Sequence, residues 1–169
     1  LAPWAAFGQA NQLYTPLQLA NYIATLSGGG DRYATHLLKN VRESGTGALE
    51  YVYDAEPVQT IAMSEENLSA VLAGMHDLAT DGAVSSYFKD CIVDAAAKTG
   101  TVQTGDTKNN NGAFVCFAPY DDPQIAVAIV IEKGGTGAAL ASTAVQVLNA
   151  YFSNAAANTT VTGENILLG

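Results

Sequence analysis

Positive charge is scarce in this sequence. Seven Lys and Arg stand against sixteen Asp and Glu in 169 residues, giving a formal net charge of −9. That balance argues against a nucleic-acid partner, because phosphate binding needs clustered basic residues and the seven here are scattered. Long apolar runs are also missing. The longest, Ile125–Ile131, is strand-length and far short of the roughly 20 residues of a membrane-spanning helix. The first residues, Leu1-Ala2-Pro3-Trp4, carry no basic region ahead of an apolar one and do not read as a signal peptide. With no Met among them, they read as a cut inside a longer protein. Cysteine is limited to Cys91 and Cys116, too few for a disulfide framework, and both lie among apolar residues, as buried free thiols do. The two histidines, His36 and His76, share no ligand spacing with each other or with cysteine, so neither a metal site nor a cofactor is expected.

What is present is apolar and regularly punctuated. Nearly half the residues are hydrophobic (49%) against 14% charged, which fits one domain with a real core. Thr15-Pro16 supplies an N-cap and an N1 proline for a helix whose apolar face is Leu17, Leu19, Ala20, Ile23, Ala24 and Leu26, ended by Gly28-Gly29-Gly30. Short extended pieces are expected at residues 36–41, 49–53 and 57–61, with Tyr51 and Tyr53 marking an exposed ribbon. Ser64 caps a second helix through about Ala79, with Glu65 and Glu66 favourably placed in its first turn and Met63 and Leu68 spaced as a staple. Its expected stripe is Leu68, Val71, Leu72, Met75 and Leu78, and Asp81-Gly82 ends it.

Strands follow at residues 95–104, 113–118 and 125–132. The first pair is joined through Asn109-Asn110-Asn111-Gly112, whose Asn-Gly end favours positive φ, and the second through residues 119–123, where Asp121 and Asp122 belong to the turn. Connections this short dictate antiparallel pairing. A third helix, about residues 138–152, places Ala141, Val145, Leu148 and Phe152 on one face, which should cover this meander. The expected fold is α+β: an antiparallel sheet packed with helices, with the domain over residues 1–153 and a partly disordered tail over 154–169. Trp4, Tyr14 and Tyr22 read as core or domain-contact aromatics.

The residues that carry chemistry are Lys98-Thr99-Gly100-Thr101. Lysine is disfavoured inside a buried strand and glycine weakens one, so an edge that another group approaches closely explains both. A solubilising edge lysine is the alternative. A Lys-Thr-Gly strand lines the cleft of serine acyl-transfer enzymes that act on penicillin-like substrates.

Further segments extend the likeness. Gly8-Gln9 with Tyr14-Thr15-Pro16-Leu17-Gln18-Leu19-Ala20-Asn21-Tyr22-Ile23-Ala24, Pro57-Val58-Gln59-Thr60-Ile61 with Ser64-Glu65-Glu66-Asn67-Leu68, Ala97-Lys98-Thr99-Gly100-Thr101-Val102-Gln103, and Phe117-Ala118-Pro119-Tyr120 together resemble the class B penicillin-binding proteins. These are the serine D,D-transpeptidases of bacterial cell-wall synthesis. The resemblance runs from about Gly8 to Phe152 and implies the C-terminal part of their penicillin-binding-protein/serine β-lactamase-like transpeptidase fold. It further implies that Lys98 supplies positive potential and a hydrogen bond tuning proton transfer at the serine. The hydroxyls of Thr99 and Thr101 hold the carboxylate of a stem peptide or a β-lactam. The backbone N–H of Thr101 is one of two oxyanion-hole donors, and Gly100 lets the substrate lie along the strand. The implied parent is membrane-anchored and works at the extracytoplasmic face of the bacterial inner membrane.

The sequence departs from that family at the nucleophile. The mechanism needs a Ser-x-x-Lys motif and a Ser-x-Asn motif, both upstream of the Gly-Gln segment in family order. No Ser-x-Asn occurs here. The single Ser-x-x-Lys, Ser86-Tyr87-Phe88-Lys89, stands nine residues before Lys98 and reads as coincidence. The expectation is a substrate-binding part without a nucleophile, inactive alone, with peptidoglycan stem peptide and β-lactams as partners and some self-association through uncovered apolar surface. Two other readings stay open: a class D β-lactamase or β-lactam sensor domain, and a non-enzymatic binding module.

Overall fold

The computed structural model describes residues 13–103 and 110–158. Trp4, Gly8-Gln9, Thr104, Asn109 and residues 159–169, all named above, lie outside them. Helix α1 spans Pro16–Ser27 and begins with a reciprocal capping box. The Thr15 hydroxyl accepts from the Gln18 amide at 3.2 Å, and the Gln18 side-chain carbonyl accepts from the Thr15 amide at 2.9 Å. Its buried side chains are Ile23 and Thr25, with Leu19, Ala20 and Leu26 half-covered. Leu17 and Ala24, expected on that face, are exposed, because the helix rests on the sheet along a narrower stripe. Tyr14 and Tyr22 are exposed too and are not core residues.

Gly30, at φ +107, turns the chain straight back, where its N–H and C=O bond to Thr25 O and Ile61 N. Strand β1 (Asp31–Tyr33) therefore starts earlier than the sequence suggests and pairs antiparallel with β4 (Pro57–Thr60). A second antiparallel pair, β2 (Asn40–Arg42) with β3 (Leu49–Val52), is nested between them. The strand expected at 36–41 shrinks to β2. Residues 36–39 belong to no strand, although Lys39 O accepts from Tyr53 N at 2.9 Å, and His36 stacks on Tyr53 at 3.6 Å.

Helix α2 (Glu65–Thr80) has Ser64 as N-cap, its hydroxyl accepting from Asn67 N at 3.2 Å. Met75 and Ala79 are its buried residues, with Leu68, Leu72 and Leu78 half-buried. Val71 faces solvent, a correction to the expected stripe. After a single turn of helix, α3 (Ser85–Phe88), the chain enters the meander β5 (Ala96–Val102), β6 (Asn111–Ala118), β7 (Ile125–Ile131), paired antiparallel in that order.

The Asn-Gly expectation fails here. Asn111 and Gly112 already belong to β6, opposite Val102 and Thr101, and neither has positive φ. In this part of the chain, positive φ occurs instead at Lys133 (φ 57) and Gly135 (φ 81), after β7. The Ala118–Pro119 peptide bond between β6 and β7 is cis. A 3-10 turn, Gly137–Leu140, then leads into α4 (Ala141–Asn158). The helix passes residue 153, where the sequence placed the domain's end.

Strand alternation sorts the core into two layers. On one face Ala97, Phe114, Cys116 and Ala118, joined by Ala95, pack against Leu140, Ala141, Ala144 and Leu148, so α4 covers this side as expected. On the other face Ala96 and Phe117 pack against Ile23 of α1 and Met75 of α2, with Val115, Ala126 and Tyr120 alongside. Helix α2 lies over β5, and α1 lies over β7 and β6. Three consecutive alanines, Ala95 to Ala97, let helices approach both faces of β5. All three are almost completely buried. The architecture is α+β, with one antiparallel sheet held between helices.

Candidate active-site strand

Lys98, Thr99, Gly100 and Thr101 form the central part of β5, opposite Val115, Phe114, Ala113 and Gly112 of β6. Strand β5 is an edge strand: among the described residues its other side has no strand partner. Burial changes abruptly along it. Ala96 and Ala97 are fully buried, Lys98 is exposed, Thr99 and Gly100 are half-covered, and Thr101 and Val102 are exposed. The strand is therefore rooted in the core over its first residues and presented to solvent over the rest.

By alternation Lys98 and Gly100 lie on the α1–α2 side of the sheet and Thr99 and Thr101 on the α4 side. The Lys98 ammonium donates to the carbonyl of Thr99 in its own strand. Among the described residues no carboxylate pairs with it, and the ion pair found there is His76 with Asp94. Lys98 is thus an exposed cation without an acidic partner among the described residues, in a chain of net charge −9.

Two glycines differ in why they are glycine. A Cβ on Gly100 would sit 3.4 Å from the Ala113 Cβ, an ordinary contact, so the packing of the chain itself does not require a bare residue there. A Cβ on Gly137 would collide with the carbonyls of Ala113 and Gly100 and lie 2.8 Å from Gly100 N. Gly137 thus lays the 3-10 turn flat on the strand backbone at Gly100, backing it from the α4 side. The role of Gly137 follows from a register that no local signal in the sequence reveals.

The other candidates separate from this strand. Ser86 lies exposed in α3, a four-residue turn without a side-chain cap. A small cavity of about 200 Å³ is lined by Thr80, Ser85, Phe88, Lys89, Val93 and Asp94 among others, and includes neither Ser86 nor any residue from Lys98 to Thr101. Cys91 and Cys116 are both free thiols, with Cys116 buried as expected and Cys91 only half-buried. Burial first, then the neighbouring Cys91, pushes the Cys116 thiol up to about 12, so it is an inert core group. Burial, opposed by a hydrogen bond from the Val93 backbone, also raises the Cys91 thiol.

The penicillin-binding protein transpeptidase domain is the family whose pattern matches this chain, over residues 2–152. Penicillin-binding protein 2A of Bacillus subtilis is 34% identical, the match covering 75% of this chain and 19% of that protein. The peptidoglycan D,D-transpeptidase MrdA of Salmonella typhimurium is 27% identical, over 90% of this chain and 27% of that protein. Among solved structures, Pseudomonas aeruginosa PBP2 in complex with WCK 5153 superposes with a TM-score of 0.68 at 30% identity, covering 85% of this chain and 32% of that one. The imipenem acyl-enzyme complex of penicillin-binding protein A from Mycobacterium tuberculosis gives a TM-score of 0.73 at 26% identity, over 88% and 33%. The chain spans between 19% and 27% of the length of the two curated relatives.

Proposed function

The chain belongs to the penicillin-binding protein transpeptidase family, of the class B type, and from that premise we propose that it forms the substrate-cradling side of a peptidoglycan D,D-transpeptidase site. One observation supports this most: Lys98-Thr99-Gly100-Thr101 lies on the open edge of β5 with the Lys98 ammonium unmatched by any carboxylate among the described residues.

In this reading a stem peptide, or a β-lactam in its place, lies along β5 over the bare Gly100. Its carboxylate is held by the hydroxyls of Thr99 and Thr101 within the positive field of Lys98. A serine outside these residues attacks the D,D-peptide carbonyl, and the Thr101 N–H donates to the developing oxyanion, an interaction whose loss costs about 3 kcal/mol of barrier. The terminal residue leaves as its amine, and the resulting ester passes its acyl group to the amine of a second stem peptide. Penicillins stop the cycle by acylating the same serine. The chain carries the cradle and no nucleophile, so it is inactive alone. The protein containing it works at the extracytoplasmic face of the inner membrane, and the chain in isolation self-associates through apolar surface that the rest of the domain covers.

Intact mass after exposure to excess benzylpenicillin tests this. The 169-residue chain is expected to gain no adduct, and the full-length protein containing it one adduct, on a serine outside these residues. Replacing Lys98 by Ala in that protein should slow acylation by about 100-fold or more. An adduct on Ser86, or on any other serine here, sinks the proposal.

A further inference from the structure

We infer that His76 is a positioning residue for the Lys98–Thr101 strand, acting through Asp94 at the strand's root; this rests on the reading of β5 as the substrate strand. The residue before Ala95 is where three elements meet. The Asp94 side chain accepts from its neighbour, Ala95 N, at 3.0 Å, and its backbone carbonyl accepts from Tyr120 N, just past the β6 end, at 3.0 Å. From α2, the Nε2 of His76 lies 3.0 and 2.9 Å from the two Asp94 carboxylate oxygens. A carboxylate only accepts, so Nε2 carries the proton. The Tyr120 ring stacks on the imidazole at 4.2 Å and 16°, closing the ring of contacts.

This arrangement is poorly suited to adding stability. The His76 and Asp94 side chains are 26% and 55% exposed, and ion pairs so open to water contribute little to folding. What it fixes is geometry. Among the described residues strand β5 pairs with a strand on one side only, and past Ala97 its residues are exposed or only half-covered. Pairing with β6 sets its register but not its tilt against α2, which packs across it. Asp94 to Thr101 is roughly 23 Å of extended chain, so a tilt of about 3° at the root moves Thr101 by about 1 Å. A misplacement of that size costs up to about 100-fold in a reaction whose oxyanion donor sits on the strand. From the opposite side, the amide of Asn149 on α4 accepts from Ile92 N at 2.9 Å and donates to Asp90 O at 2.8 Å, steadying the approach to the same root.

The test is acylation of the full-length protein by a fluorescent penicillin, resolved into the dissociation constant of the non-covalent complex and the rate constant of acylation. In His76→Phe, which can keep the stack on Tyr120 but loses the bond to Asp94, acylation should slow about tenfold with the dissociation constant within twofold. His76→Gln, which retains an N–H donor, should recover at least a third of the wild-type rate. Acylation within twofold of wild type in His76→Phe overturns the inference, as does a loss that His76→Gln fails to rescue. Should His76→Phe not fold, Asp94→Asn decides: about threefold slower acylation supports the inference, and an unchanged rate overturns it. Lys98→Ala measured alongside separates the two levels. If that variant acylates normally, the substrate-strand reading falls and takes this inference with it, whereas a crippled Lys98→Ala beside a normal His76→Phe removes the inference alone.

Discussion

The β5–β7 layer and the ribbon of β1 to β4 are both built from antiparallel strand pairs and end in opposite environments. In the layer, β6 runs Asn-Gly-Ala-Phe-Val-Cys-Phe-Ala with every residue buried or half-buried, and its pairing to both neighbours is continuous. In the ribbon, residues 33–52 are exposed without exception, Tyr51 and Val52 included, and both strand pairs carry a register shift. Helices make the difference. The layer has α4 on one face and α1 with α2 on the other, whereas in the ribbon α1 lies against β1 alone, and two-stranded pairs with so little cover are marginal in water. The candidate substrate strand lies at the boundary between these conditions, rooted in the layer at Ala97 and only partly covered from Lys98 onward.

The sharpest way to break the contrast is to hollow out the layer. Phe117 is fully buried between Ile23, Met75 and Ala96, where it ties α1 and α2 to the sheet. Phe117→Ala should cost about 3–5 kcal/mol, read as a shift of the urea midpoint by circular dichroism. A cost under about 1 kcal/mol means that the two helices do not depend on the sheet for their place.

A smaller effect follows from Cys116 on the opposite face. Its thiol titrates near 9.0 in the unfolded chain and at about 12 in the fold, where burial dominates. Between those values the native state holds a proton that the unfolded chain has lost. The contribution of the buried neutral thiol is thus complete below pH 9 and declines as pH rises toward 12, by about 1.4 kcal/mol per unit. Stability measured at pH 8, 9 and 10 should drop more steeply for wild type than for Cys116→Val. Parallel curves mean that water reaches the thiol.

Legibility in the sequence follows the same division. The capped helices, the three meander strands and the Ala141, Val145, Leu148 face were readable because capping chemistry and apolar period are local. Strand β1 was missed because its cause is Gly30 turning the chain toward Ile61, about thirty residues away. Val71 and Leu17 were misassigned because period locates a stripe but not its width. At the candidate site, Lys98 to Thr101 stood out as residues ill-suited to a buried strand. Gly137, His76 and Asp94 did not, since each acts through a partner distant in sequence. His76 was passed over for lack of ligand spacing, a test blind to a single carboxylate eighteen residues away.

The ribbon provides the smallest expected effect. Tyr51 is 45% exposed on β3, opposite Val41, and the layer supplies nothing that covers it. Tyr51→Ala in the 169-residue chain should therefore change stability by no more than about 0.5 kcal/mol, the range of surface substitutions that disturb no special feature. Leu37, Val41 and Val52 are exposed on the same excursion, so the result bears on all of residues 33–52. The same substitution in the full-length protein sharpens the comparison. If Tyr51→Ala remains neutral there, the ribbon is a solvent-facing excursion in both settings. If it costs 1 kcal/mol or more there and not in the isolated chain, the ribbon's apolar side chains are core residues whose other half lies outside these 169. The contrast between layer and ribbon then reflects which packing partners this stretch of chain includes, rather than two kinds of strand.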